Sequence, residues 1–180
     1  MGRFSSFLDK IPLFRQTAKK EVEHTNNVEK QYNKAMELLE HGISEEAIKA
    51  LNQIADIGVM EIQYQQYGCD ALKILGEVYE TGKYKRIKAN IDREMASKYY
   101  ERYVKLVEDG DMFYKLGLLM LDIQNFSKAI TYLEKAASYN VRQAYMRLGD
   151  IYETGLNRID EHGQKSDYII PVDIEKAKSW

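Results

Sequence analysis

Three histidines, one cysteine and two charged, turn-like clusters are the residues of this 180-residue chain best suited to chemistry. His24, His41 and His162 lie far apart and form no HxxxH or HExxH ligand pair. Cys69 beside a distant histidine would make a nucleophile pair. Its position on a helical pattern leading into Ala71 fits a small buried thiol better. No GxxxxGKS, GxxxxGKT or GxGxxG phosphate loop occurs. IDEHGQKSD (159–167) is acidic and turn-like, yet lacks the alternating ligands and closing Glu of an EF-hand loop. KYKRIK (83–88) is a local basic cluster in a chain of net charge −2, which fits a solvated loop better than a nucleic-acid surface. The expectation is a protein that is not an enzyme, with no cofactor, no metal and no nucleic-acid partner.

The elements are helical. Prolines occur only at 12 and 171, so 158 residues run between them without that breaker. The octets LGEVYETG (75–82) and LGDIYETG (148–155) nearly coincide, and setting Ala71 against Ala144 aligns twelve positions. Their apolar residues follow a one-sided helical stripe, and Gly82 and Gly155 stand where a left-handed C′ residue is wanted. Gly76 and Gly149 sit in mid-helix, where glycine costs about 1 kcal/mol relative to alanine. That suggests a neighbouring backbone too close for a Cβ. Leu116-Gly117 marks a third copy, and YNKAMELLEHG, with Ala35 and Leu39, a weaker fourth. Each copy precedes a second helical pattern: 44–58 with Ser44 as N-cap, 92–110, 125–140 and 172–180. Two helices per period of 20–50 residues is the pattern of an α-solenoid.

Ala144, Leu148, Gly149, Tyr152 and Gly155, followed by Asp173, Lys176, Ala177 and Trp180, resemble the Sel1-like repeat, a relative of the tetratricopeptide repeat. The resemblance spans about residues 28–180, and is weakest in 28–58, where no Gly follows Leu39. It implies an all-α, short right-handed α-solenoid of about four helix-turn-helix (Sel1-like, TPR-like) repeats, the last incomplete, after an N-terminal basic segment or cap at 1–27. Two turns are expanded, at 83–91 and 156–171, and read as long loops. Tyr79, Tyr99, Tyr103 and Tyr152 fall on the apolar stripe and read as core.

By the same resemblance the first helix of each pair lines a concave groove. Its positions here are Lys73, Glu77, Glu80, Tyr114, Leu118, Leu121, Met146, Asp150 and Glu153. An apolar centre flanked by carboxylates suits a partner segment with an apolar anchor between basic residues; the alternative is that Leu118 and Leu121 are simply buried. The implied function is a protein–protein interaction module, an adaptor or scaffold binding another protein or peptide. Two alternatives stand beside it: a bacterial immunity or antagonist protein for a toxin, and a membrane-associated structural subunit. Residues 1–20 carry a local charge of +4 against −6 for the rest, with Phe4, Phe7, Leu8 and Ile11 on one helical face ended by Pro12. That segment reads as a membrane-surface helix, a docking peptide or a cap on the first repeat. Self-association through the open C-terminal repeat is a further expectation. No secretory signal or membrane-length apolar run is present, so a cytoplasmic location is expected, with non-classical secretion left open.

Overall fold

The computed structural model describes the backbone at residues 12–84, 87, 88, 90–159 and 162–180. Side chains are described from residue 27 onward, except at 84–89, 160, 161 and 165–168. The apolar face expected from Phe4 to Ile11 lies outside the described residues. The described chain is mostly helical, and the helices pack on their neighbours in sequence. It divides into two compact units, one of Met1–Leu75 with Tyr84–Lys88 and one of Gly76–Lys83 with Ala89–Trp180.

In the first unit, helix α1 (Pro12–His41) begins with the proline, whose missing N–H costs nothing at a first helical position. Val28, Ala35 and Leu39 are its buried row. Helix α2 (Glu45–Met60) starts as its sequence requires: the Ser44 hydroxyl accepts the Ala47 amide at 3.1 Å. Ala47, Leu51, Ile54 and Ala55 form its buried stripe, and α2 packs on α1. A 3-10 turn (Ile62–Tyr64) then reverses the chain into helix α3 (Gln65–Thr81). The closest backbone approach is here. A Cβ on Gly58 would sit 2.4 Å from the Gly68 Cα and 2.9 Å from the Tyr64 carbonyl oxygen. Cys69, one residue on, is buried; burial first, and then the Asp70 carboxylate, push its thiol pKa up. A thiol held protonated is a poor nucleophile.

The second unit contains Gly76–Lys83 and Ala89–Trp180. Two matching devices recur along the chain. The N–H of Gly82, at φ 63°, donates to the Val78 carbonyl at 3.0 Å; that of Gly155, at φ 72°, donates to Ile151 at 2.8 Å. Each glycine is followed by an antiparallel or two-stranded hairpin rather than a loop. The first is β1 (Lys83–Tyr84) with β2 (Ile87–Lys88); the second is β3 (Leu156–Ile159) with β4 (Lys165–Ile170). Short runs holding Tyr, Ile and Leu, turned at a glycine of φ 75° (Gly163) in the second case, favour strand pairing over open loop. After each hairpin an aspartate brings the chain home. The Asp92 amide donates to the Tyr79 carbonyl and the Asp173 amide to the Tyr152 carbonyl, both at 2.7 Å. The Asp92 carboxylate then accepts the Met95 amide at 2.8 Å, and Asp173 the Lys176 amide at 2.9 Å. Helix α4 (Arg93–Tyr103) and helix α8 (Ile174–Lys178) start there.

Between them run α5 (Gly110–Asp122), α6 (Phe126–Ser138) and α7 (Arg142–Thr154). The helical pattern expected through 92–110 breaks at Tyr103. Asp109 is the reason: its carboxylate accepts the Met112 amide at 3.0 Å and the Tyr103 hydroxyl at 3.1 Å, so it caps α5. Gly110 therefore opens a helix instead of closing one. Phe113, Leu133, Ala136, Ala137, Ala144, Leu148, Ile151 and Tyr152 form the core of this part. Tyr99, Tyr103 and Tyr152 are buried, and Tyr79 stacks on Tyr99 with ring centroids 5.6 Å apart.

The mid-helix glycines of the Leu-Gly pairs differ in what crowds them: side chains come first at Gly76 and Gly117, with the Leu133 amide nitrogen also 3.3 Å away at Gly117. At Gly76 a Cβ would lie 2.2 Å from the Tyr100 ring, and at Gly117 2.8 Å from the Leu133 side chain. At Gly149 the nearest atom is the Ala177 carbonyl oxygen at 3.7 Å, an ordinary contact.

Gln124, at φ 57°, hooks the second hairpin to the α5–α6 turn. Its amide nitrogen donates to the Ile159 carbonyl at 2.9 Å, and its amide oxygen accepts the Ile159 N–H at 2.8 Å. The side chain thus stands in for a neighbouring strand. Gln124→Ala should cost about 1 kcal/mol and speed amide exchange along β3 while exchange in α5 and α6 stays unchanged. Unaltered β3 exchange would show that the hook does not hold the hairpin.

Candidate functional site

Helix α7 buries Ala144, Leu148, Ile151 and Tyr152 and therefore turns Met146, Asp150 and Glu153 the other way, at i, i+4 and i+7 spacing. The return at Asp173 sets α8 alongside. Lys176 places its ammonium 4.2 Å above the Tyr152 ring, tying the two helices together. Met146, Gly149, Asp150 and Glu153 then face Ile174, Ala177 and Lys178 across an open groove of about 300 Å³. Met146 is 64% exposed and Ile174 47%, so the floor is apolar and uncovered. The carboxylates of Asp150 and Glu153 have no hydrogen-bond or ion-pair partner among the described residues. Lys178, the basic member of the lining, is paired with Glu175 at 2.9 Å. The rim carries a net negative charge.

The nine positions expected to line a groove divide by environment. Met146, Asp150 and Glu153 come together in the α7–α8 groove. Tyr114 and Leu121 are half-buried against the Phe113–Leu133 core, and Leu118 is half-buried on the same helix. Glu77 is exposed. Glu80 is engaged inside the unit: one carboxylate oxygen accepts from the Tyr100 hydroxyl and from the Lys115 ammonium, each at 2.8 Å. Burial, and next the bond to Glu80, push the Tyr100 hydroxyl pKa far up. Lys73 is half-buried and belongs to the first unit.

Ile174, Ala177 and Lys178 were absent from the expected groove. The Asp173-x-x-Lys176-Ala177 pattern was the available signal, since it fixes where α8 starts and which side it presents. A second groove, of about 260 Å³ in the first unit, lies between α1 and α2 and is lined by Gln31, Lys34, Leu38, Ala50 and Gln53. No Leu-Gly signature marks it. Its rim has amides and a lysine but no carboxylate.

Among the described residues no three His, Cys, Asp or Glu side chains gather as metal ligands, and no helix is long and apolar enough to cross a membrane. No protein-family model matches the chain, and no curated protein matches it.

Proposed function

We propose that this chain is a non-enzymatic interaction module, a short right-handed solenoid of about four Sel1-like helix pairs that holds another protein in the cytoplasm. The repeated Gly–hairpin–Asp device, with its two 2.7 Å return bonds, supports the repeat reading. The observation that carries the function is the α7–α8 groove. An uncovered apolar floor of Met146, Ile174 and Ala177 beside two carboxylates with no partner among the described residues is a surface for a segment with an apolar anchor and basic flanks. The anchor supplies affinity, and the charges set orientation and association rate.

The test is capture of partners on the immobilised chain, comparing wild type with Glu77→Lys/Asp150→Lys. Both side chains are exposed, so the helices should persist by circular dichroism. A stoichiometric partner held by wild type and lost by the variant is the expected result. A partner retained equally by both moves the binding surface away from these helices.

A further inference from the structure

We infer that the α7–α8 groove takes the basic, apolar N-terminal segment of a second copy of this chain. The inference rests on reading this groove as a protein-binding surface, and it names the occupant. Three features define what fits. The floor needs apolar side chains to cover Met146, Ile174 and Ala177. The rim needs cations, because Asp150 and Glu153 have no ion-pair partner among the described residues while Lys178 is paired with Glu175. And Gly149 leaves room: a mid-helix glycine costs about 1 kcal/mol, and no neighbouring atom here excludes a Cβ. Its absence of side chain widens the groove between the two helices.

The sequence Arg3-Phe4-Ser5-Ser6-Phe7-Leu8-Asp9-Lys10-Ile11 supplies both requirements in nine residues, with Phe4, Phe7, Leu8 and Ile11 between and beside Arg3 and Lys10. Of the two grooves described, the complementarity favours this one. The α1–α2 groove presents Lys34 and no carboxylate, which disfavours a basic segment. The pairing is between copies, so it is a concentration-dependent association that weakens with salt as exposed charge pairs do.

Sedimentation velocity of the full chain over a wide concentration range tests this. The expected result is reversible self-association at low salt. Arg3→Glu/Lys10→Glu and Asp150→Lys/Glu153→Lys should each weaken it at least ~10-fold. Mixing these two variants should restore association, because one keeps the groove and the other keeps the segment. Circular dichroism checks that both remain helical, and Met146→Glu, at an exposed position, is the substitute if the charge-reversed groove does not fold. A chain that stays monomeric throughout overturns the inference. So does association that ignores both reversals but is lost in Met60→Glu/Ile62→Glu, which would place the contact at the exposed apolar turn after α2. Capture of a different partner through Asp150 by a monomeric chain would sink this inference alone and leave the adaptor reading standing.

Discussion

Gly76→Ala is expected to lower stability by about 2–3 kcal/mol, while Gly149→Ala, at the matching position of the repeat, should raise it by about 0.5–1 kcal/mol. The two residues share a motif and a helical backbone, so helix propensity alone gives both substitutions the same favourable sign. Packing separates them. The new methyl at 76 would lie 2.2 Å from the Tyr100 ring, which is 1% exposed and pinned through its hydroxyl to Glu80. The ring has nowhere to swing. The methyl at 149 meets only a carbonyl oxygen at 3.7 Å. Chemical denaturation of the two variants decides the matter: equal shifts would mean that the Tyr100 contact is not what keeps Gly76. Gly58→Ala should behave like Gly76→Ala, because its methyl would run into the Gly68 backbone at 2.4 Å.

That contrast shows what could and could not be read in advance. Helix starts were legible because Ser44, Asp92, Asn125 and Asp173 carry their own instruction, a side-chain oxygen placed to take the amide three residues on. The positive-φ glycines at 82 and 155 were legible for the same local reason. Mid-helix glycines were not, since their cause is whatever arrives from another helix. A repeated Leu-Gly predicted one reason for both positions, and the structure gives Gly76 a ring and Gly149 only an ordinary contact with a carbonyl oxygen. The glycine pair that does meet backbone to backbone, Gly58 and Gly68, belongs to no Leu-Gly pair and carried no repeated signal. Asp109 was misleading because its neighbours Val104 and Val107 continue a helical stripe, and only its two accepted hydrogen bonds show that it begins the next helix. The hairpins were hidden by brevity: strands of two to six residues offer too little alternation to outweigh their charged, turn-like composition. In the groove, the resemblance to the repeat family named the α7 residues. The α8 side depended on the length of the hairpin that delivers it.

Glu80→Ala is expected to cost about 3 kcal/mol, against less than about 0.5 kcal/mol for Glu77→Ala, three residues earlier on the same helix. Both are carboxylates at expected groove positions, and both count equally toward an acidic rim by sequence. Glu77 is exposed. Glu80 is the shared acceptor for a buried hydroxyl and an ammonium, and Lys115 also lies 4.8 Å over the Tyr100 ring. Removing the carboxylate leaves the Tyr100 hydroxyl desolvated with its acceptor gone, the expensive case for a hydrogen bond. The same arrangement sets an alkaline limit. Burial and Glu80 raise the Tyr100 hydroxyl pKa, and burial with the Glu101 charge raises that of Tyr132 to about 12. Unfolded tyrosines ionise near about 10, so above that pH the unfolded chain binds fewer protons than the folded one. Stability contributed by these hydroxyls is therefore fully present below about pH 10 and falls as pH rises beyond it. For Tyr132 the loss is complete once pH passes about 12. Urea midpoints measured from neutral to strongly alkaline pH should decline less steeply in Tyr100→Phe/Tyr132→Phe than in wild type. Parallel declines would show that these two hydroxyls are not what couples the fold to alkali, and Glu80 would then act through Lys115 alone.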